Sequence, residues 1–231
     1  NLRSTMKNIV DYLLIGNTRL HWAFTQDCSY KFSHTLINDS LPENINFKKV
    51  IWASVGKYST NDLLKKNQVT LKDINLKNIP HHIGIDRALV CFAALKKIEN
   101  KLKKNILIVD LGTTVSMTKI DNEGNILGGQ LFPGFTTQLK SMEQNTKNLV
   151  FPNKIFIPSN KFEISTKDAM LRGVYNSIIG AINISFDKAK DILILCGGDA
   201  NLIGNTLKKE IKNLILEPNL VMYGMIFLNK K

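Results

Sequence analysis

The stretch LIVDLGTTVSMTKI, residues 107–120, decides the fold, and YLLIGNTRLHWAF, residues 12–24, is its counterpart in the first half of the chain. Each is an apolar run, then a glycine followed by Asn-Thr or Thr-Thr, then a run in which apolar and polar residues alternate. This pattern predicts two strands joined by a tight turn that depends on glycine. The second copy has Asp110 two residues before its glycine, whereas the first copy has Leu14 at the matching place.

Strands and helices alternate along the rest of the chain. The predicted elements are strands at 50–55, 126–134 and 191–196 and helices at 84–104 and 166–186. With one hairpin in each, the chain divides into an N-terminal half, residues 1–104, and a C-terminal half, residues 105–231. The expected fold is α/β, with a mixed sheet in each half and the halves facing across a cleft, where ligands commonly bind.

The composition is that of an ordinary globular protein, with 231 residues of which 44% are hydrophobic and 22% are charged. No apolar run approaches the roughly 20 residues that a membrane-spanning helix needs, and the N-terminus lacks a secretory pattern. The three cysteines, Cys28, Cys91 and Cys196, are widely spaced. We therefore expect reduced thiols, a cytoplasmic location and no membrane partner.

The net charge of +12 would be compatible with binding to nucleic acid. Only four of the 31 basic residues are arginine, although arginine is favoured for reading bases and gripping phosphates. The lysines are scattered without interleaved aromatic residues. A solvated surface is the expected interpretation, and an accessory protein bound to nucleic acid remains an alternative.

Phosphate binding is indicated by the two turns, G-N-T at 16–18 and G-T-T at 112–114. The chain has neither a P-loop nor a dinucleotide-binding fingerprint. A glycine lets the backbone approach an anion, and neighbouring amides and threonine hydroxyls can donate to phosphate oxygens. One such turn is a common hairpin, but two at corresponding places predict a clamp that holds a polyphosphate from both sides.

Seven blocks of sequence, in order, resemble motifs of the type III pantothenate kinase family, within the superfamily of acetate and sugar kinases and actin. They are L-I-G-N-T (14–18), P-H-H-I-G-I-D-R (80–87), D-L-G-T-T-V-S (110–116), G-G-Q-L-F-P-G (128–134), S-T-K-D-A-M-L-R-G (165–173), C-G-G-D-A (196–200) and P-N-L-V-M-Y-G (218–224). The resemblance implies two ribonuclease H-like halves with an actin-like ATPase fold. It also implies ATP-dependent phosphorylation of pantothenate to 4'-phosphopantothenate, the first step of coenzyme A biosynthesis, by a homodimer.

The resemblance also implies roles for individual residues. Asp86 would be the catalytic base that accepts the hydroxyl proton of pantothenate, and Asp110 would bind a monovalent cation, K⁺ or NH₄⁺, beside Mg²⁺-ATP. The implied ATP-binding residues are Ile15, Gly16, Asn17, Thr18, Arg19, Thr113, Gly197 and Gly198, and the implied substrate-binding residues are Gly84, Ile85, Asp86, Arg87 and Thr166.

Each of these residues also has a purely structural interpretation. An acid such as Asp86 in the first turn of a helix is stabilised there by the helix dipole alone. Arg87 could form an ordinary surface ion pair. Thr166 competes with Ser165 for the N-cap of a helix. Residues 197–198 could serve only as the turn between a strand and a helix.

Leu14 is the main departure from the family, whose acid at this place helps to hold Mg²⁺-ATP. A leucine can only pack. Either the phosphates, water and another acid hold Mg²⁺ and catalysis is retained, or the chain is a catalytically impaired nucleotide-binding or regulatory relative. The presence of Asp86, Asp110, Thr113 and Thr166 favours the active enzyme.

Overall fold

A computed structural model describes residues 10–26, 29–39, 46–56, 63–98 and 103–229. The chain forms two compact units, one from residues 1–96 with 219–231 and the other from residues 97–218. We describe each unit by itself. The division into halves at residues 104 and 105 stays a prediction.

The secondary structure is mixed throughout. The strands are β1 (Tyr12–Ile15), β2 (Arg19–Gln26), β3 (Ser29–Leu36), β4 (Ile51–Ser54), β5 (Asn105–Leu111), β6 (Thr114–Ile120), β7 (Ile126–Pro133), β8 (Asp191–Cys196) and β9 (Leu214–Leu216). The α-helices are α1 (Ile85–Ile98), α2 (Phe135–Asn145), α3 (Thr166–Ser185), α4 (Ala200–Leu207) and α5 (Leu220–Leu228). Short 3-10 helices lie at Phe47–Lys49, Lys65–Asn67 and Leu71–Asp73.

The first unit is built on a four-stranded sheet in the order β3-β2-β1-β4. β1 pairs antiparallel with β2 and parallel with β4. Side chains alternate across a strand, and Leu13 and Ile15 enter a buried cluster with Trp22 on one face. α5 packs on the opposite face, where the rings of Tyr223 and Phe32 are 5.4 Å apart.

The second unit is built on a five-stranded sheet in the order β7-β6-β5-β8-β9. β5 pairs antiparallel with β6 and parallel with β8. Alternate residues of β5, among them Leu107 and Val109, join side chains of α2, α3 and α4 in one buried cluster. The three helices therefore cover one face of the sheet, and burial of this face holds the ends of β5 and β8 in place.

The predicted α/β fold with two mixed sheets is confirmed. Both hairpins form, with Leu14 opposite His21 in the first and Val109 opposite Met117 in the second. Cys91 and Cys196 are free and buried as expected, and burial raises the pKa of the Cys91 thiol to about 12. Cys28 lies outside the described residues.

Five elements were missed by the sequence analysis, namely β3, α2, α4, β9 and α5. The predicted helix at 84–104 is observed as Ile85–Ile98, and residues 99–102 lie outside the described residues. Within the described ranges, no helix is long and apolar enough to cross a membrane.

Candidate active site

The turn at residues 112–114, the second predicted phosphate loop, is fixed by the start of α2 as well as by its own hairpin. Within the hairpin, the Gly112 amide donates to the Thr114 carbonyl at 3.4 Å. From α2, the Gly134 amide and the Thr137 hydroxyl donate to the Thr113 carbonyl at 2.9 and 2.6 Å. A Cβ atom on Gly134 would collide with the Gly112 carbonyl, so only glycine permits this approach. The loop therefore lies beside a helix N-terminus, whose partial positive charge favours a phosphate.

Asp110 and Gly197 lie together at the carboxyl ends of β5 and β8. Gly197 has a φ of +86°, and a Cβ atom there would collide with the Asp110 carboxylate and the Leu111 backbone. The Leu111 carbonyl accepts a hydrogen bond from the Asp199 amide at 2.9 Å. Ligands of open α/β sheets bind beyond the carboxyl ends of parallel strands, and this is the place at which the predicted cation and nucleotide residues meet.

Asp86 lies half-buried in the first turn of α1. Its Oδ1 accepts a hydrogen bond from the Arg87 amide at 2.8 Å, which satisfies one unpaired donor at the helix start. Oδ2 takes no hydrogen bond from any described residue. A Cβ atom on Gly84 would collide with Oδ1, so the glycine leaves the space that the carboxylate occupies. Oδ1 of Asp86 therefore caps the start of the helix. The same hydrogen bond fixes the orientation of the carboxylate and, with it, the position of Oδ2.

The first phosphate loop begins after Leu14, which is 2% exposed and pairs with His21 on β2 and Ala53 on β4. The turn closes by a hydrogen bond of 2.9 Å from the Gly16 amide to the Arg19 carbonyl. Residues 17–19 at its tip are exposed. The turn forms as predicted, but the side chain at position 14 packs in the core and offers no ligand atom.

A sequence model of the type III pantothenate kinase family matches residues 55–188, which is more than half of the chain. The chain belongs to the type III pantothenate kinase family. It is 28% identical to the type III pantothenate kinase of Nostoc over 92% of this chain and 91% of that protein. It is 29% identical to the one of Helicobacter pylori over 99% of this chain and 96% of that protein.

Solved structures support the same fold at lower identity. A protein from Campylobacter jejuni, assigned to the Baf family of transcriptional activators, superposes with a TM-score of 0.67 at 22% identity over 96% of this chain and 98% of that chain. A protein from Sinorhizobium meliloti, assigned as a 2-dehydro-3-deoxygalactonokinase, superposes with a TM-score of 0.58 at 11% identity over 95% of each chain. Both structures therefore share the fold of this type III pantothenate kinase family member.

The remaining predicted residues lie at the ends of secondary-structure elements. Ser165 is the N-cap of α3 but makes no side-chain capping hydrogen bond within the described residues, and Thr166 follows it on an exposed first turn. Gly198 is exposed, with open space where a side chain would stand. These positions are accessible to ligands, and their family roles stay predictions.

The two predicted cations fit the two loops differently. Beside the second loop, the Asp110 carboxylate and the Leu111 carbonyl both face Gly197, and such hard oxygen atoms suit an alkali cation. Beside the first loop, Leu14 cannot bind Mg²⁺. Over the described ranges, no cluster of three or more His, Cys, Asp or Glu side chains could hold a metal ion. Mg²⁺ is commonly bound through one or two carboxylates and the phosphates of a substrate. Because position 14 offers no carboxylate, the phosphates of the nucleotide would have to provide more of the ligands.

Three hydrogen-bonded side chains near the first loop, His21, His34 and Asn219, have no signal in the sequence. The Nδ1 atoms of His21 and His34 are 2.9 Å apart, and His34 Nε2 lies 2.8 Å from Oδ1 of Asn219, the N-cap residue of α5. Burial, together with the charges of His34 and Arg19, lowers the pKa of His21 from 6.5 to about 4. His21 is therefore neutral at pH 7. Only the pairing of β2 with the unpredicted strand β3 brings the two histidines together.

Proposed function

We propose that this protein phosphorylates pantothenate on its primary hydroxyl, with ATP as the phosphoryl donor. The observation that carries the proposal is the presence, in a member of this family, of both a Gly-lined phosphate loop at 112–114 and Asp86 at the start of α1. The hydroxyl oxygen would form a bond to the γ-phosphorus while the bond to the β-phosphate oxygen breaks and ADP leaves. Positioning and neutralisation of charge supply most of the catalysis in such transfers.

Asp86 is proposed to accept the hydroxyl proton. Support comes from its fixed geometry, because the hydrogen bond from the Arg87 amide orients the carboxylate and Gly84 leaves room for it. A base must lie within hydrogen-bonding reach of its proton with an oxygen to receive it, and Oδ2 is the candidate. Arg87 and Thr166 are proposed to bind pantothenate on the strength of their family motifs.

The second loop is proposed to bind ATP through Thr113, with Gly197 and Gly198 beside the adenosine. Asp110 would bind a monovalent cation, which would balance the charge of the phosphates nearby. This role is supported by the family motif and by the position of the half-buried Asp110 carboxylate beside Gly197 and the Leu111 backbone. The role of residues 15–19 in ATP binding rests on the family motif.

A homodimer in the cytoplasm is proposed as the working form. The support for a second copy is that the second unit exposes three large apolar side chains almost fully: Phe162 at 92%, Ile164 at 104% and Ile184 at 89%. Exposed apolar side chains mark an interface where they form a contiguous patch. Sedimentation equilibrium of the wild-type protein and of Phe162→Ser tests this, since a dimer that buries Phe162 should dissociate more readily in the variant.

The proposed activity is tested by coupling ADP production to NADH oxidation with a panel of small hydroxyl acceptors. Pantothenate should be the preferred acceptor, and mass spectrometry should show one added phosphate on it. Nucleotide binding without ADP production from any acceptor would instead identify the impaired, nucleotide-binding relative.

An association with nucleic acid is the second candidate, favoured by the net charge of +12 and by the description of the Campylobacter relative as a transcriptional activator. A gel shift whose affinity falls steeply with salt would support it. Binding that is weak at 150 mM salt and the same for every sequence would leave only an electrostatic surface effect.

A further inference from the structure

The start of α2 holds the tip of the second hairpin through a side chain as well as through the backbone. The Thr113 carbonyl accepts hydrogen bonds from the Gly134 amide at 2.9 Å and from the Thr137 hydroxyl at 2.6 Å. The bond from Gly134 extends the pairing of β6 with β7, in which Thr114 is opposite Pro133. The bond from Thr137 belongs to no strand pairing, so the formation of the hairpin does not explain it.

This second bond bears on the direction of a backbone amide in the turn. The carbonyl of residue 113 and the amide of residue 114 belong to one planar trans peptide group, in which they point in opposite directions. A Thr113 carbonyl held towards α2 therefore directs the Thr114 amide away from the helix. Both residues are exposed, so packing restrains this peptide group little and its hydrogen bonds decide its orientation.

The helix start that carries Thr137 is itself fixed from two sides. Gln138, the next residue, donates through Nε2 to the Pro133 carbonyl at 2.8 Å. Its Oε1 accepts a hydrogen bond from the Ser177 hydroxyl of α3 at 2.9 Å. Phe135 is buried in the core cluster of the second unit. Thr137 therefore projects from a rigid element and can hold the turn in place.

We propose that Thr137 is a positioning residue for the nucleotide, whose hydroxyl holds the Thr113 carbonyl against α2 so that the Thr114 amide is directed to donate to a phosphate oxygen of ATP. The inference rests on the proposed binding of ATP by residues 112–114, and Thr137 lies outside the seven motif blocks. A turn that is ordered before the ligand arrives binds more tightly, because less ordering remains to be done on binding. Loss of the hydroxyl should therefore appear as a lower affinity for ATP.

The test measures the affinity for ATP by titration calorimetry, without any acceptor. Thr137→Val removes the hydroxyl and keeps the shape of the side chain, whereas Thr137→Ser keeps the hydroxyl. Thr136→Val is the matched control, since Thr136 is half-buried in the same helix turn and its hydroxyl bonds to no described residue. We expect Thr137→Val to weaken ATP binding by about 3- to 10-fold, as for the loss of one hydrogen bond. Thr137→Ser and Thr136→Val should bind ATP almost as tightly as the wild type.

Steady-state kinetics separate positioning from a merely structural role. In Thr137→Val the KM for ATP should rise while kcat and the KM for the acceptor change little, which is the split expected when binding common to ground state and transition state is removed. A merely structural threonine would lower the melting temperature and leave the KM for ATP of the folded enzyme unchanged. If Thr137→Val does not fold, Thr137→Ala provides the same loss of the hydroxyl with the best helix-forming residue.

Several results would overturn the inference. One is an unchanged ATP affinity in folded Thr137→Val or Thr137→Ala. Another is an equal loss in Thr136→Val or in Thr137→Ser, which would show that the hydroxyl of Thr137 is not the cause. If the wild-type protein does not bind ATP at all, both this inference and the proposed function fail. Normal ATP binding without phosphorylation of pantothenate would overturn the proposed function alone.

Discussion

The carboxylate of Asp110 packs against Gly197 so closely that a methyl group on this glycine would collide with it. The backbone of Gly197 is also in the left-handed region, with a φ of +86°. Gly197→Ala should therefore destabilise the protein by about 2 kcal/mol or more, since left-handed strain alone costs about 1–3 kcal/mol. Thermal and urea unfolding measure the change. Gly198→Ala is the matched control, because its side chain meets open space, and an equal loss there would refute the argument.

Asp110 should make turnover depend on a monovalent cation. The family motif implies that Asp110, at the carboxyl end of β5 beside Gly197, binds a cation next to the anionic nucleotide. Replacing Na⁺ by K⁺ at constant ionic strength should raise the rate of ADP production. Asp110→Asn should lower the rate and abolish the difference between the two ions. Identical rates of the wild-type enzyme in Na⁺, K⁺ and NH₄⁺ would count against the cation site.

Leu14→Asp restores the family acid at the first loop. Because Leu14 is 2% exposed, an ionised side chain there costs several kcal/mol unless it is paired. His21, directly opposite, can provide that partner by becoming protonated. We expect a less stable but folded protein whose activity saturates at a lower Mg²⁺ concentration. A folded variant with an unaltered magnesium profile would show that position 14 does not affect metal binding.

The fold was largely predictable because its two hairpins have a clear sequence pattern. In each, a run of buried residues ends at a glycine and an alternating strand follows, so local periodicity alone locates the turn. β3 was missed because its side chains are only partly buried and it lies at the edge of the sheet. α5 was missed because LVMYGMIFL is apolar on every side, which erases the helical period.

The motifs predicted which residues belong to the site, but not how these residues contact one another. The motifs place Asp86, Asp110 and Gly197, but the approach of Gly134 to the Gly112 carbonyl depends on how the hairpin of β6 and β7 returns the chain. The contact between His21 and His34 likewise depends on the register in which β2 pairs with β3. Sequence spacing gives no access to contacts that tertiary structure creates between distant residues.

The stability of the protein should fall on acidification in a way that depends on His21. Its pKa in the folded protein is about 4, below the ordinary value of 6.5, because the ring is buried and faces His34 and Arg19. Between pH 6.5 and pH 4 the unfolded chain binds the proton that the folded protein does not, so protonation favours unfolding in this window. The neutral His21 side chain contributes its full share to the free energy of unfolding above pH 6.5, and this share is about 3 kcal/mol at most.

Urea unfolding at pH 7.5 and pH 4.5 checks this dependence. His21→Gln should lose less stability than the wild-type protein between the two values, since glutamine does not titrate. The comparison cancels the titration of the carboxylates common to both proteins. His81→Gln should behave like the wild type, and parallel losses in all three proteins would rule out His21 as the cause.

Asp86→Asn tests the central claim, that an acid at the start of α1 accepts the proton of the pantothenate hydroxyl. Asparagine retains the size of the side chain and its oxygen can still accept from the Arg87 amide, but it takes up no proton at neutral pH. The measurement is turnover at saturating ATP and pantothenate, beside the ATP affinity and the melting temperature of the same variant. We predict that turnover falls by about 10²–10⁴ while affinity and melting temperature are unchanged, as for the loss of a general base. Turnover that stays above about a tenth of the wild-type value would contradict the account and leave Asp86 as a residue that only caps the helix.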